Sequence, residues 1–323
     1  MDEKQKKRLF WQVPLLIFLI VGTVLIIRQQ QSEPYHHDRG FVFGTIYNVT
    51  YQSTEDLQPD IEAELKKVDM EFSMFNDSST VSRLNRGEQV ERSAMFNEVY
   101  ELAQTVSRET DGSFDITVAP LVNAWGFGNK NEQMPTPAQI DSLLKIRDQM
   151  DFAAIAKGYG SDVVARLLRR HHVTNFMVEI GGEIVAEGIS EKRLPWKIGV
   201  TKPVDDSLSV GGEVQTVLNV TDIAMATSGN YRNFYYKGGR KYAHTIDPKT
   251  GYPVQHTLLS ATVLAKDCAV ADAYATSFMV MGLERAKKVL EKHPELMAYF
   301  IYSDADGNNA VWYSPSVHDK IAQ

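Results

Sequence analysis

Apolar side chains recur every three or four residues in several parts of the chain. Ile61, Leu65 and Phe72 follow this spacing, which predicts a helix with one buried face. Another helix is expected to begin at Thr136, because a threonine cap, a proline in the first turn and a glutamine three residues after the cap are typical of a helix start. The further helices predicted from the spacing are Phe96–Glu109, Ala154–Arg169, Asp267–Met281 and Leu283–Lys292.

Shorter apolar or alternating runs predict β-strands, mainly in the second half of the chain. Residues Phe41–Tyr51 alternate apolar and polar side chains, as a half-buried strand does. The other predicted strands are Phe176–Ile180, Ile184–Glu187, Trp196–Val200, Val214–Val220, Ala243–Ile246, Leu259–Leu264, Tyr299–Tyr302 and Val311–Tyr313. Because helices and strands are mixed without regular βαβ alternation, we expect an α+β fold in one domain over residues 41–323.

The amino terminus carries the longest apolar run. Leu9–Ile27 comprises 19 residues, and a helix of that length spans roughly 30 Å, the thickness of a bilayer core. Basic residues precede the run, which predicts a cytoplasmic tail over residues 1–8, an exported domain and a polar tether over residues 28–40. A cleaved signal peptide is the alternative, but no small-residue cleavage site follows the run, so an uncleaved membrane anchor is favoured.

Charge and cysteine content exclude two classes of function. The formal charge of −7, without a long basic run, argues against nucleic acid as the main partner. The single cysteine, Cys268, can form neither an internal disulfide nor a zinc site built from several cysteines. It is therefore interpreted as a small buried apolar residue.

Two segments in the first half of the chain combine turn residues with polar groups. Gly112–Leu121 and the Trp125-Gly126 pair that follows suit either a loop that holds a planar ligand or a well-packed turn. Asp151–Tyr159 places small residues before a helix, and the N-terminus of a helix favours phosphate. Lys157 would add a positive charge there, unless it simply faces solvent.

Two segments in the second half add a titratable group and oxygen ligands. His244 precedes the turn Asp247–Gly251, so it either accepts a proton from an incoming hydroxyl or bonds to the turn backbone. Asp272 and Thr276 are four residues apart and would share one face of a helix. A carboxylate and a hydroxyl suit Mg²⁺, although Thr276 is equally able to bond back to its own helix.

Taken in order along the chain, these segments resemble the FAD:protein FMN transferase family, also called the ApbE family. The resemblance extends from about Phe43 to the C-terminal strands. It rests on GSFDITVAPLVNAWGFG at 112–128, DFAAIAKGY at 151–159, IGGE at 180–183, PWKIG at 195–199, ATSGNYRN at 226–233, HTIDPKTG at 244–251 and ADAYAT at 271–276.

The resemblance implies a Mg²⁺ site and an FAD site, placed residue by residue. Asp272 and Thr276 match the Mg²⁺ ligands, with a backbone carbonyl from Ala154. The residues that match FAD contacts are Phe43, Phe75, Ser113, Phe114, Asp115, Asp151, Lys157 and Ile246. His244 is the candidate general base, and Asp247 is the alternative.

The resemblance further implies the reaction and the location of the protein. A Thr or Ser hydroxyl of an acceptor protein would attack the FMN phosphorus of FAD, and AMP would leave. The acceptor would be a subunit of a membrane redox complex, met on the periplasmic side of a bacterial inner membrane. Two alternatives stay open at this point: an FAD pyrophosphatase that yields FMN and AMP, and a non-catalytic flavin carrier held at the membrane.

Overall fold

An antiparallel sheet of eight strands organises the domain in a computed structural model of the chain. The structure describes residues 3–30, 33–127, 134–146, 148–203, 213–230, 234–237 and 240–322. In the sheet the strands follow the order β1-β2-β3-β4-β7-β10-β11-β12, while β5–β6 and β8–β9 form separate two-stranded ribbons. The strands are β1 (Tyr35–Val42), β2 (Thr45–Gln52), β3 (Phe176–Ile180), β4 (Glu183–Glu187), β5 (Trp196–Thr201), β6 (Val214–Val220), β7 (Ile223–Gly229), β8 (Phe234–Lys237), β9 (Arg240–Ala243), β10 (Leu258–Ala265), β11 (Met297–Ser303) and β12 (Asn309–Tyr313).

Four helices cover one face of this sheet. The helices of the described residues are α1 (Glu3–Gln30), α2 (Gln58–Phe72), α3 (Thr80–Asn85), α4 (Ala94–Glu109), α5 (Ala119–Ala124), α6 (Pro137–Leu143), α7 (Ala156–Arg170), α8 (Cys268–Met281) and α9 (Leu283–Leu290), and a 3₁₀ helix lies at Pro315–Lys320. Of these, α2, α4, α7 and α8 pack on the sheet through two clusters of buried side chains. The β5–β6 ribbon and the 3₁₀ helix cover the opposite face, where Trp196 and Ile198 meet Ile184 and Met225. These layers confirm the predicted mixture of helices and strands.

Most predicted elements are confirmed within a few residues. The helix start at Thr136 has its full capping box, in which the Thr136 side chain and Gln139 bond to each other's backbone N–H groups. The helix predicted from Ile61 to Phe72 is α2. Strands β3 and β6 have the predicted bounds.

The predicted single strand at Phe41–Tyr51 is wrong, because the chain reverses inside it. Phe43 and Gly44 have φ values of +52° and +73° and form a two-residue turn, across which Val42 pairs with Thr45. Two consecutive residues with positive φ are the geometry of a tight hairpin turn. In addition, β1 begins at Tyr35, inside the predicted tether at 28–40, because inward side chains such as Asp38 are buried against the domain.

Two other predictions around the central strands need correction. The strand predicted at Ala243–Ile246 ends at Ala243, and Ile246 makes only an isolated bridge with Pro253. Strand β7 was not predicted, and Ala226–Gly229 entered the sequence analysis only as part of the ATSGNYRN motif. Its small side chains let α8 lie directly on the sheet, and small polar residues do not carry a strand pattern.

Helix α1 extends over Glu3–Gln30, and its described apolar side chains are exposed. In the part of the chain that the structure describes, no helix is both long and apolar enough to cross a bilayer. The anchor at residues 9–27 stays a prediction.

Candidate functional site

The centre of the candidate site is α8, a helix buried on nearly all sides. Its start is fixed from α7, where the Asp162 carboxylate accepts the Cys268 N–H at 2.8 Å and the Ala269 N–H at 2.9 Å. Because Asp162 is buried, its pKa is raised to about 7 despite these two hydrogen bonds. This contact sets the position of every residue along α8, including Asp272.

Helices α7 and α8 touch at Gly158. A Cβ atom at this position would lie 2.5 Å from the carbonyl oxygen of Cys268, which only glycine avoids. The contact brings the Gly158 N–H to 3.1 Å from Oδ2 of Asp272. The small residues at 151–159 were expected to allow a ligand to approach the backbone closely. At Gly158 the absence of a side chain instead allows the close approach of α8.

Three charged side chains meet where α7, α8 and β4 come together. Lys157 Nζ lies 2.7 Å from Glu183 Oε1 and 3.9 Å from Asp272 Oδ2. Glu183 and Asp272 are 4% and 2% exposed, so the half-buried Lys157 points its ammonium group at two buried carboxylates. Burial alone would lower the pKa of Lys157, but the charges of Asp272 and Glu183 outweigh burial and raise it.

Burial lowers the pKa of a lysine, but it raises the pKa of the two carboxyl groups of this cluster. Burial raises the pKa of Glu183 to about 7, although Lys157 lowers it. Burial also raises the pKa of Asp272 against the effect of Lys157. Among the described residues Glu183 Oε2 is buried without a hydrogen-bond partner. The cluster therefore places two buried carboxyl groups beside a single lysine.

Thr276 lies one turn after Asp272 on α8. Its hydroxyl is 3.0 Å from the Ser228 hydroxyl on β7, so it points toward the sheet and does not only bond to its own helix. Thr276 is half-buried, whereas its neighbours Ala275 and Ser277 are fully buried. The predicted pair thus shares one partly open face of α8.

The loop at 112–118 lies against the turn that precedes α7. The Asp151 N–H donates to the Ile116 carbonyl at 2.6 Å, and the Asp151 carboxylate accepts the Ala153 N–H at 2.8 Å. Burial raises the pKa of Asp151. Ala154 follows as a half-buried residue two positions before α7.

The side chains at 113–115 have different environments. Ser113 is 2% exposed, and its hydroxyl accepts from Arg285 of α9 at 2.9 Å. Phe114 is 3% exposed and belongs to the main core, so its side chain is a packing residue. The half-buried Asp115 accepts hydrogen bonds from the backbone and hydroxyl of Thr117.

Two aromatic residues lie at the β1–β2 turn. The Phe43 ring packs against Gly160 of α7, where a Cβ atom would come within 2.9 Å of it. Phe75 is 86% exposed, and a Cβ atom at Gly44 would lie 4.0 Å from its ring. At this end of the sheet, near Lys157, the Phe43 ring is therefore packed against α7, whereas the Phe75 ring is exposed to solvent.

The segment 244–251 belongs to a separate small core. Ile246 is 5% exposed and packs with Leu121, Trp125 and Ile140. The half-buried His244 lies edge-on to Phe127, with ring centroids 6.4 Å apart.

Polar contacts hold this segment in place. The Trp125 indole N–H donates to the Gly251 carbonyl at 2.8 Å, and the Asp247 carboxylate accepts the Lys249 N–H at 2.9 Å. Thr245 donates to Asn230 at 2.6 Å, directly after the strand that carries Ser228. This hydrogen bond links the segment that contains His244 and Asp247 to the end of β7, where Ser228 contacts Thr276.

Sequence reasoning did not single out three residues that shape the site. Glu183 stood in a quoted motif, where an acid directly after a Gly-Gly turn was the available signal. Asp162 and Arg285 act across 106 and 172 positions of sequence separation, and no local pattern marks such contacts. Conversely, the predicted Phe114 and Ile246 side chains lie in apolar cores.

The comparisons with known proteins point to one family. The model of the ApbE family matches residues 43–300. The chain is 36% identical to the FAD:protein FMN transferase of Haemophilus influenzae, with 88% of this chain and 90% of that protein covered. The corresponding protein of Vibrio cholerae is also 36% identical, with 89% and 92% covered.

Solved structures give the same result for the fold. The flavin transferase ApbE from Vibrio cholerae superposes with a TM-score of 0.79 at 33% identity, covering 89% of this chain and 100% of that one. The apo form of the Pseudomonas stutzeri flavinyl transferase ApbE superposes with a TM-score of 0.79 at 28% identity, covering 90% of this chain and 97% of that one.

Proposed function

Because the chain belongs to the ApbE family, we propose that it transfers FMN from FAD to a Thr or Ser hydroxyl of an acceptor protein. The relatives named as FAD:protein FMN transferases carry this proposal for the reaction. The observation that carries it for the site is the buried cluster of Lys157, Glu183 and Asp272 beside Thr276.

The residues present fit a Mg²⁺ ion. The Asp272 carboxylate, the Thr276 hydroxyl and the Ala154 carbonyl are oxygen donors, which hard cations prefer. Among the described residues no three His, Cys, Asp or Glu side chains gather at metal-binding spacing, so the remaining ligands would be waters or phosphate oxygens. The two buried carboxyl groups beside a single lysine support a bound cation, and Mg²⁺ would supply Lewis-acid neutralisation of the pyrophosphate.

The chain's own residues would position the reactants. Lys157 faces the place where a phosphate oxygen would lie, and Phe43 and Phe75 offer rings at the turn beside it. The acceptor oxygen forms a bond to the FMN phosphorus while the bond from that phosphorus to the AMP oxygen breaks. The hydroxyl proton passes to His244, or to Asp247, and AMP leaves. Positioning and charge stabilisation dominate such phosphoryl transfers.

The test uses the intact protein as the enzyme and measures the mass of an acceptor peptide. A peptide with Asp, Gly and a central Thr is incubated with the enzyme, FAD and Mg²⁺. A mass gain of one FMN, lost in Asp272→Ala and in EDTA, is expected. Asp267→Ala is the matched control, because Asp267 is exposed and makes no capping hydrogen bond at the start of the same helix.

The other outcomes contradict the proposal in distinct ways. Free FMN and AMP without a modified peptide would indicate a pyrophosphatase. Bound FAD without any turnover would indicate a flavin carrier.

We also propose that residues 9–27 anchor the protein in a bacterial inner membrane, with residues 1–8 in the cytoplasm and the domain on the periplasmic side near its redox-complex acceptors. The 19-residue apolar run and the basic residues before it support this. Resistance of the protein to alkaline extraction from membranes, together with protease access only from the periplasm, is expected. Release by alkali would contradict the anchor.

A further inference from the structure

Glu183 is the one residue of the charged cluster to which the proposed reaction assigns no role. It begins β4 directly after the Gly181-Gly182 turn, and both glycines have positive φ. Ser161 of α7 donates a hydrogen bond to its backbone carbonyl at 2.9 Å. Backbone and side chain of Glu183 are therefore both tied to α7, the helix whose second residue is Lys157.

The distances within the cluster show which carboxylate holds the lysine. Lys157 Nζ is 2.7 Å from Glu183 and 3.9 Å from Asp272. The first distance is that of a charge-assisted hydrogen bond, and the second exceeds hydrogen-bond range. Glu183 thus holds the ammonium group away from Asp272.

This arrangement matters for a cation at Asp272. An ammonium group and a divalent cation compete for the same carboxylate oxygens. Oδ2 of Asp272 already accepts the Gly158 N–H, so a lysine that moved onto Asp272 would take a second of its roughly four acceptor sites and place a positive charge beside the cation. Without Glu183, Lys157 has Asp272 as the nearest acid among the described residues.

We propose that Glu183 is a positioning residue: it retains Lys157 and thereby keeps the Asp272 carboxylate available to a divalent cation. This inference rests on the proposed cation site. It assigns Glu183 an indirect action, through Lys157, and not a place among the ligands.

The contact between the Gly181 turn and Lys157 supports a fixed position for the lysine. A Cβ atom at Gly181 would lie 2.9 Å from Thr45 and 3.4 Å from the Lys157 side chain. The stem of Lys157 is therefore packed along the turn that leads into Glu183. From this position Lys157 can reach the carboxylates of Glu183 and Asp272, and in the structure it is hydrogen-bonded to Glu183.

The test is a double-mutant cycle read out as Mg²⁺ binding, in the FAD-free full-length protein. Mg²⁺-dependent stabilisation of thermal unfolding gives the apparent affinity of each variant. We expect Glu183→Gln to weaken Mg²⁺ binding about tenfold or more, the effect that partners of metal ligands usually have. In a Lys157→Met background the same substitution should change the affinity less than about twofold, because nothing is left to retain.

The matched control is Glu187→Gln at the other end of β4. Glu187 accepts a hydrogen bond from Arg169 at 2.7 Å, so this variant also loses one ion pair between β4 and α7, but far from Asp272. It should bind Mg²⁺ as the wild type does.

Three outcomes overturn the inference. Unchanged Mg²⁺ affinity in Glu183→Gln would show that Lys157 does not compete. An equal loss in the Lys157→Met background would show that Glu183 acts directly on the cation, and this arm decides the matter even if the single variant does not fold. Absence of any Mg²⁺ stabilisation in the wild type would overturn the cation site and this inference together, whereas a normal Mg²⁺ response without peptide modification would contradict the transferase proposal alone.

Discussion

The carboxylate cluster and the His244–Gly251 segment contribute to the site in different ways. The cluster is held by two buried helices and a strand, and its groups contact one another directly. The His244–Gly251 segment is a turn on a small core of its own and meets the rest through Asn230. Under the proposed function, the first region would provide a rigid ion and phosphate site, and the second would provide the base and could vary without disturbing the first.

The strongest test of this division removes the candidate base. His244→Gln should lower the transfer rate about 100-fold or more, the usual contribution of general base catalysis, and leave Mg²⁺ stabilisation unchanged. Asp247→Asn serves as the paired variant. If Asp247→Asn alone abolishes transfer in single-turnover assays, the base is Asp247.

The next test breaks the rigid region itself. Gly158→Ala should destabilise the protein by about 3 kcal/mol, since a new methyl group must push α7 and α8 apart, and it should also abolish Mg²⁺ stabilisation. Urea unfolding measures the first effect. Gly199→Ala is the control, because its Cβ would meet only Val214 at 3.5 Å; equal losses in both variants would contradict the argument.

A smaller effect concerns the pH dependence of stability. The pKa of Asp162 rises from an ordinary 3.8 to about 7 on folding, so the folded state binds the proton more tightly. Its contribution to stability is full below about pH 4 and is lost as the pH rises to about 7. Asp162→Asn should remove this part of the slope in denaturant unfolding between pH 4 and 7, and an unchanged slope would refute it.

The smallest effect on stability is expected at Phe75. Because this side chain is 86% exposed, Phe75→Ala should change the free energy of unfolding by less than about 0.5 kcal/mol. It should nevertheless weaken FAD binding measured by flavin fluorescence, if the ring stacks on the flavin. Phe41→Ala, on the neighbouring strand and 73% exposed, should leave FAD binding as it is.

Local patterns predicted the elements whose signal lies within a few residues. The capping box at Thr136 and the face of α2 are such cases, and so is the pairing of Asp272 with Thr276, which needs only one turn of helix. The hairpin at Phe43-Gly44 was missed because a phenylalanine at positive φ carries no turn signal. Strand β7 was missed because its residues are small, as the close packing of α8 requires, and small residues give no strand pattern.

The contacts that tune the site were beyond local patterns. Glu183 meets Lys157 from 26 residues away, and Asp162 meets α8 from 106 residues away. The sequence contains the groups, but only the packing of α7 against α8 decides which carboxylate faces a lysine and which caps a helix. The family resemblance indicated the reaction, and the structure shows which side chains contact one another.

The packing of Gly158 on Cys268 also has a consequence for redox chemistry. The Cys268 thiol is fully buried, and burial raises its pKa well above the ordinary value, which suppresses the reactive thiolate. In an oxidising compartment the folded protein would therefore keep its single thiol reduced and would not crosslink to a second copy. A thiol reagent reaches Cys268 only after an opening of the folded structure, so the rate of labelling reports how often the packing around the start of α8 opens.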